Sequence, residues 1–357
     1  MKGFWEKLSR PSAVSGGRGS NPACAGRPFF ALAPMLDVTD AAFRRIIATY
    51  GKFTRPDGTT SGGPDVMWTE FVSADGLCSV GREKLLPMLA FSQEERPIVA
   101  QIFGADPAHI REAAALIAEL GFDGIDINMG CPDRKVVKQN AGAALIRTPK
   151  LAQDIIRAAQ EGGGGLPVSV KTRTGDMEDT LAEWLPHLLE MEPAAVTIHA
   201  RTRKDMSKVP ARWERVAQAV GIRDTLGSSA LIIGNGDVPN IAEGERRAKE
   251  SGCDGVMIGR GVFGNPWVFR RDGYVPTREE TLRVLLEHTK LFEELYGADP
   301  LTGRRVKSFD LMKKHFAAYV HGWEGAKELR VALMAAKNVG EVEEVVRASS
   351  TVGSRGE

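Results

Sequence analysis

Cysteine is scarce. There are four in 357 residues, Cys24, Cys78, Cys131 and Cys253, scattered without any short metal-ligand spacing, so no metal site is expected. No apolar run approaches the roughly 18 residues of a membrane-spanning helix. The first residues lack the apolar core of a secretory signal. Reduced thiols in a cytoplasmic protein off the membrane are the expectation. Net charge is nearly absent at +1, which excludes a polycation, so any nucleic-acid surface must come from local clustering. No GxGxxG follows the first apolar run, which ends at Met35, so the fingerprint of a doubly wound dinucleotide-binding sheet is missing.

What is present is a rhythm. Eight short apolar runs occur at residues 29–35, 65–69, 97–103, 124–128, 168–173, 195–200, 230–236 and 255–259. Each is followed by helical spacing. After the first run, Thr39 or Asp40 offers an N-cap and Gly51 a stop. Short helices are predicted near 73–80 and 262–269. Near-continuous apolar strands alternating with helices imply a parallel sheet covered on its outside. Eight units over roughly 240 residues predict a (β/α)₈ TIM barrel. After Pro276 the spacing turns wholly helical, over 278–296, 306–320 and 325–349. The resulting organisation is a basic, mostly disordered leader at 1–27, a catalytic barrel at 28–272 and a C-terminal all-helical domain at 276–357. Repeated breakers make 52–64 an exposed inserted loop.

Chemistry in such a barrel sits where the strands end. The ends read Pro34-Met35, Thr69-Glu70, Gln101, Asn128 with Cys131, Lys171 with Arg173, His199 with Arg201, Asn235-Gly236-Asp237 and Gly259-Arg260. Polar groups finish almost every apolar run, which describes a polar mouth. The loops after the last two strands commonly bind phosphate through glycine-flanked N–H groups, and Arg260 adds charge. Gln101, Asn128 and Lys171 suit a ring with donors and acceptors, such as an isoalloxazine. Lys171 as a Schiff-base nucleophile is an open alternative.

At these residues the chain resembles the tRNA-dihydrouridine synthases. The matching blocks are residues 32–40, Asn128-Met129-Gly130-Cys131-Pro132, residues 170–175, Thr197-Ile198-His199-Ala200-Arg201-Thr202, residues 234–238 and residues 254–261. The resemblance implies FMN across the barrel mouth, lined by Pro34, Met35 and Leu36. Gln101, Lys171 and His199 would contact its ring, and Asn235, Gly236, Asp237, Gly259 and Arg260 would hold its phosphate. It implies Cys131 as proton donor, with Asn128, Arg173 and Arg201 around the uracil, NADPH as reductant, tRNA as partner and a monomeric state. RNA would meet Arg134, Lys135 and Lys138 after the cysteine, and Arg304, Arg305, Lys313 and Lys314 on the helical domain.

The chemistry is consistent with that resemblance. Saturating the C5–C6 bond of uracil takes a hydride on C6, which no side chain supplies, and a proton on C5. A thiol near its reference pKa of about 8.5 keeps its proton at neutral pH. Cations lower a thiol's pKa, so Arg134, Lys135 and Lys138 should point away from the sulfur. Three alternatives stand beside this reading. One is an FMN barrel acting on a small pyrimidine, as dihydroorotate or dihydropyrimidine dehydrogenases do. The second is an RNA-binding protein without chemistry, and the third is a metal-dependent or Schiff-base barrel.

Overall fold

The computed structural model describes residues 3–8, 27–298 and 303–352. They fall into two units, one from Met1–Leu36 and Pro64–Arg260, the other from Asp37–Gly63 and Gly261–Glu357.

In the first unit eight strands close into a ring. They are β1 (Phe29–Leu32), β2 (Val66–Trp68), β3 (Ile98–Phe103), β4 (Gly124–Met129), β5 (Val168–Gly175), β6 (Ala195–Thr202), β7 (Leu231–Asn235) and β8 (Gly255–Ile258). The order is β2-β1-β8-β7-β6-β5-β4-β3, and β2 pairs with β3 to shut the barrel. All these ladders are parallel. The TIM barrel expected from the rhythm is therefore the one formed, with helices between the strands and more helices after them. A short extra strand, Val72–Ser73, pairs with Ile102 and Phe103. Helices begin where the caps predict: Asp106 accepts the Ala108 N–H at 2.8 Å ahead of Pro107–Glu119.

The floor of the barrel corrects the reading of the leader. Residues 5–8 form a helical turn, and Trp5 is fully buried. Its ring lies 5.9 Å from that of Trp68 and 6.0 Å from that of Phe29, among Ala31, Val66, Ala195 and Leu231. An aromatic plug fills space that small strand residues leave open. The rest of the leader, 9–26, lies outside the described residues.

In the second unit, helix Ala41–Tyr50 is capped by Asp40, whose Oδ1 accepts from the Phe43 N–H at 3.0 Å. Residues 52–64 are not an irregular loop. Lys52–Thr54 and Thr60–Gly62 pair as an antiparallel hairpin, with Asp57-Gly58 supplying the turn chemistry. The helix expected at 262–269 is replaced by a 3₁₀ turn at Arg260–Val262 and irregular chain, because Gly264 and Pro266 interrupt it. Helix Arg278–Tyr296 opens on a capping box between Thr277 and Glu280, as its sequence dictates. The Phe43 ring stacks on His288 at 5.0 Å, and His288 lies 4.6 Å from His315. No described helix is long and apolar enough to cross a membrane.

Candidate active site

Register brings the polar strand ends to one mouth. Gln101 pairs with Asp126, Asn128 with Lys171, Arg173 with His199, and His199 with Asn235. Inward-facing positions of a strand recur every second residue, so Ser169, Lys171 and Arg173 share one face.

The Cys131 loop is pinned along its backbone. Asn128 Oδ1 accepts the N–H groups of Gly130 at 3.1 Å and Cys131 at 2.9 Å. Arg173 Nε donates to the Gly130 carbonyl at 2.7 Å, and the Cys131 carbonyl accepts from the Ala143 N–H at 3.1 Å. Gly142 makes that last approach possible: a Cβ there would stand 2.9 Å from the Cys131 oxygen, and its φ is +60°, a conformation that glycine adopts freely. Asp133 then caps the helix Arg134–Lys138, accepting from Lys135 N–H at 2.7 Å.

The thiol is half-buried. Burial pushes its pKa up, against an Asp133 backbone N–H and the cations of Arg173 and Lys171. Arg134, Lys135 and Lys138 are exposed, and the cations that act most on the sulfur are Arg173 and Lys171, outweighed by burial. The basic loop therefore does not turn this cysteine into a thiolate.

Lys171 is the adaptable cation. Burial, with help from Arg173, lowers its pKa to about 8. Among the described residues its Nζ has one hydrogen-bond partner, Asn235 Oδ1 at 3.3 Å, so donors remain for a ligand. Arg173 Nη1 donates to the Thr202 carbonyl at 3.1 Å, and Arg201 Nε donates to the Val209 carbonyl at 2.6 Å. Arg201 Nη1 lies 3.2 Å from His199 Nε2. A guanidinium only donates, so Nε2 accepts and the His199 proton sits on Nδ1. Burial and four surrounding cations hold this imidazole neutral, its pKa well below the ordinary value.

Asp237 lies between two guanidiniums. Its Oδ2 accepts from Arg201 Nη2 at 2.5 Å and from the Ala211 N–H at 2.9 Å, and its Oδ1 accepts from Arg260 Nη2 at 2.8 Å. Gly236 has φ +125°, and a Cβ there would come within 2.8 Å of Ala211 Cβ and 3.3 Å of His199. The bare backbone at 236 is thus required by space as well as by conformation. Pro34 and Met35 are half-buried and Leu36 is exposed. The polar set suits a planar, phosphorylated cofactor: the remaining Lys171 donors, a side-chain-free backbone at Gly236 and an exposed Arg260, while the amides of Gln101 and Asn235 are held by Asp126, Asn128, Lys171 and the Met257 carbonyl. Among the described residues no group of three His, Cys, Asp or Glu could hold a metal ion.

Two buried residues were not singled out in the sequence, Asp126 and Ser169. Period-two counting back from Asn128 and Lys171 would have found both. On the helical unit Arg304 and Arg305 are exposed and Lys313 and Lys314 half-buried. Arg305 pairs with Glu293 at 2.6 Å and Lys313 with Asp310 at 2.6 Å.

A family model described as dihydrouridine synthase matches residues 31–352. A probable tRNA-dihydrouridine synthase of Staphylococcus aureus (strain COL) is 41% identical over 317 residues, spanning 88% of this chain and 91% of the relative. The probable tRNA-dihydrouridine synthase 2 of Bacillus subtilis (strain 168) is 40% identical over 318 residues, with 88% and 92% covered. Among solved structures, histamine dehydrogenase from Rhizobium sp. 4-9 aligns at 14% identity and a TM-score of 0.47, over 73% of this chain and 48% of that one. That likeness is too loose to carry an argument.

Proposed function

The chain belongs to the dihydrouridine synthase family, and from that premise we propose that it reduces the C5–C6 double bond of uridines in tRNA to 5,6-dihydrouridine. The observation that carries the mechanism is Cys131, a thiol kept protonated by burial on a loop pinned at both peptide bonds.

FMN is the cofactor this reading calls for: when bound it supplies the hydride for C6, with NADPH as the external reductant. Gln101, Lys171 and His199 would face its ring, beside Pro34, Met35 and Leu36. Asn235, Gly236, Gly259 and Arg260 would hold its phosphate. Asp237 has a different proposed task. Its carboxylate orients Arg260 and Arg201, since a carboxylate facing phosphate directly would repel it.

The protein's own groups then act on the uracil. The Cys131 S–H bond breaks as the new C5–H bond forms, and the thiolate left behind regains its proton from solvent. General-acid help of this kind is typically worth about 10²–10⁴-fold. Negative charge that gathers on a uracil carbonyl meets the Lys171 ammonium, which keeps donors beyond the one given to Asn235. A fixed donor in a dry site stabilises such charge. Asn128, Arg173 and Arg201 are tied to the chain's own backbone, so their proposed contribution to uridine recognition is the shape of the wall they hold. The target base leaves its stack at a cost of a few kcal/mol. Phosphate contacts from the exposed Arg134, Lys135 and Lys138 offset part of that.

The test is purified protein with FMN, NADPH and an unmodified tRNA transcript, with dihydrouridine counted by mass spectrometry. Expected are a yellow protein and dihydrouridine in the tRNA. A colourless preparation that cannot be reconstituted contradicts the cofactor assignment. Reduction of free uracil or uridine with tRNA untouched would favour a small-pyrimidine oxidoreductase.

A further inference from the structure

We propose that Asp126, deep in the barrel, is the positioning residue that sets the direction of a hydrogen-bond chain ending on the Cys131 peptide. Asp126 lies on β4, two residues before Asn128, and is fully buried. Its Oδ1 accepts from Ser169 Oγ at 2.6 Å and its Oδ2 from Gln101 Nε2 at 2.6 Å. The Gln101 amide is thereby oriented, nitrogen toward the carboxylate and oxygen toward the mouth, where Gln101 Oε1 accepts from Asn128 Nδ2 at 3.0 Å. Asn128 in turn has only its oxygen left for the loop, and that oxygen receives the Gly130 and Cys131 N–H groups.

An amide taken alone can present either end. What decides here is the carboxylate, which only accepts when ionised. If Gln101 turned over, its oxygen would face Asp126 and its nitrogen would face the Asn128 nitrogen, leaving two donors opposed. Asn128 would then have to turn as well and present N–H groups to the N–H groups of Gly130 and Cys131. One acceptor at the base of the chain thus excludes the wrong orientation at three links.

Burial of a carboxylate is costly. Burial raises the Asp126 pKa to about 6, while Gln101, Ser169 and Lys171 pull it down. An apolar side chain would fill this layer without that cost, as Ala31, Val66 and Leu231 do at the floor. The requirement met by Asp126 is an acceptor aimed at Gln101.

The experiment is the rate of Cys131 alkylation by iodoacetamide against pH, read on its own peptide by mass spectrometry so that the other cysteines do not interfere. Asp126→Leu removes the acceptor, loosens the loop and exposes the thiol. At pH 8 Cys131 should react about fivefold faster or more, with a lower midpoint, nearer an ordinary thiol. Asp126→Asn keeps one oxygen for Gln101 and can donate to Ser169, so it should stay within about twofold of wild type. Gln101→Met cuts the chain one link nearer the loop and should reproduce the Leu variant, and the two changes combined should not add.

A folded Asp126→Leu with a wild-type alkylation profile overturns the proposal, and so does additivity with Gln101→Met. If Asp126→Asn proves as disruptive as Asp126→Leu, the charge and not the acceptor matters, and the proposal also fails. Should Asp126→Leu not fold, an unchanged Cys131 in Gln101→Met decides against it. For turnover the inference rests on the uridine-reductase reading. There, Asp126→Leu should lower kcat about tenfold or more while leaving KM for tRNA within about twofold. Alkylation needs no turnover, so a wild-type protein that makes no dihydrouridine would remove that reading while the alkylation result still judges Asp126.

Discussion

At the scale of single residues, the chemistry of the mouth depends on which groups keep their protons. Burial raises the Cys131 pKa, so its alkylation midpoint should lie above the ordinary thiol value of about 8.5. Turnover should hold through neutral pH and fall as pH rises, first as the Lys171 ammonium loses its proton near about 8 and further as pH passes the Cys131 midpoint. A midpoint below the ordinary value, read by peptide-level alkylation, would make Cys131 a thiolate and remove it from the acid role. The candidates themselves were legible in the sequence, because polar residues ending apolar strands have one common explanation. Their division of labour was not. Arg173 and Arg201 read as cations for a substrate, yet each is tied to a backbone carbonyl, Arg173 to Thr202 on the neighbouring strand and Arg201 to Val209 in the loop that follows its own strand. Asp237 is the same case, since its two arginines come from β6 and the loop after β8.

At the scale of elements, two features escaped composition-based reading. The N-terminal segment looked like a solvated tail because glycine, serine and basic residues dominate it. One aromatic decides otherwise for its first turn. Trp5→Ala should destabilise the barrel by about 3–5 kcal/mol, the usual range for emptying a buried tryptophan site; an unchanged denaturant midpoint would show that Trp5 does not plug the floor. In the second unit, His288 and His315 are buried together with Phe43 and Tyr319. Burial lowers the His288 pKa to about 3, and burial with the His288, Lys314 and Lys307 charges lowers that of His315. In the unfolded chain both titrate near about 6.5. Above that pH neither state carries the protons, so nothing is lost. As pH falls below it the unfolded chain binds protons the native one refuses, costing up to about 1.4 kcal/mol per pH unit for each histidine. The urea midpoint should therefore drop between pH 7.5 and pH 5, and replacing both histidines should flatten the curve. A wild-type midpoint that does not move over this range would contradict the burial of the pair.

At the scale of the whole molecule, a net charge of +1 leaves RNA affinity to local clusters. Reversing Arg134, Lys135 and Lys138 together should weaken tRNA binding and flatten its dependence on salt by about 0.7–0.9 of a log unit per lost phosphate contact. Reversing Arg304, Arg305, Lys313 and Lys314 should act in the same direction. Arg305 and Lys313 already have carboxylate partners, so part of their charge is neutralised before any phosphate arrives. Filter binding over a salt series checks both sets, and unchanged slopes would place the RNA surface elsewhere.

The central claim is that Cys131 delivers the proton while the rest of the site does the holding. Its most direct measurement is Cys131→Ala protein, loaded with FMN and given NADPH and unmodified tRNA. The account predicts flavin absorbance and tRNA affinity near wild type, with dihydrouridine formation reduced by about 10²–10⁴-fold. Dihydrouridine formed at close to the wild-type rate would contradict it.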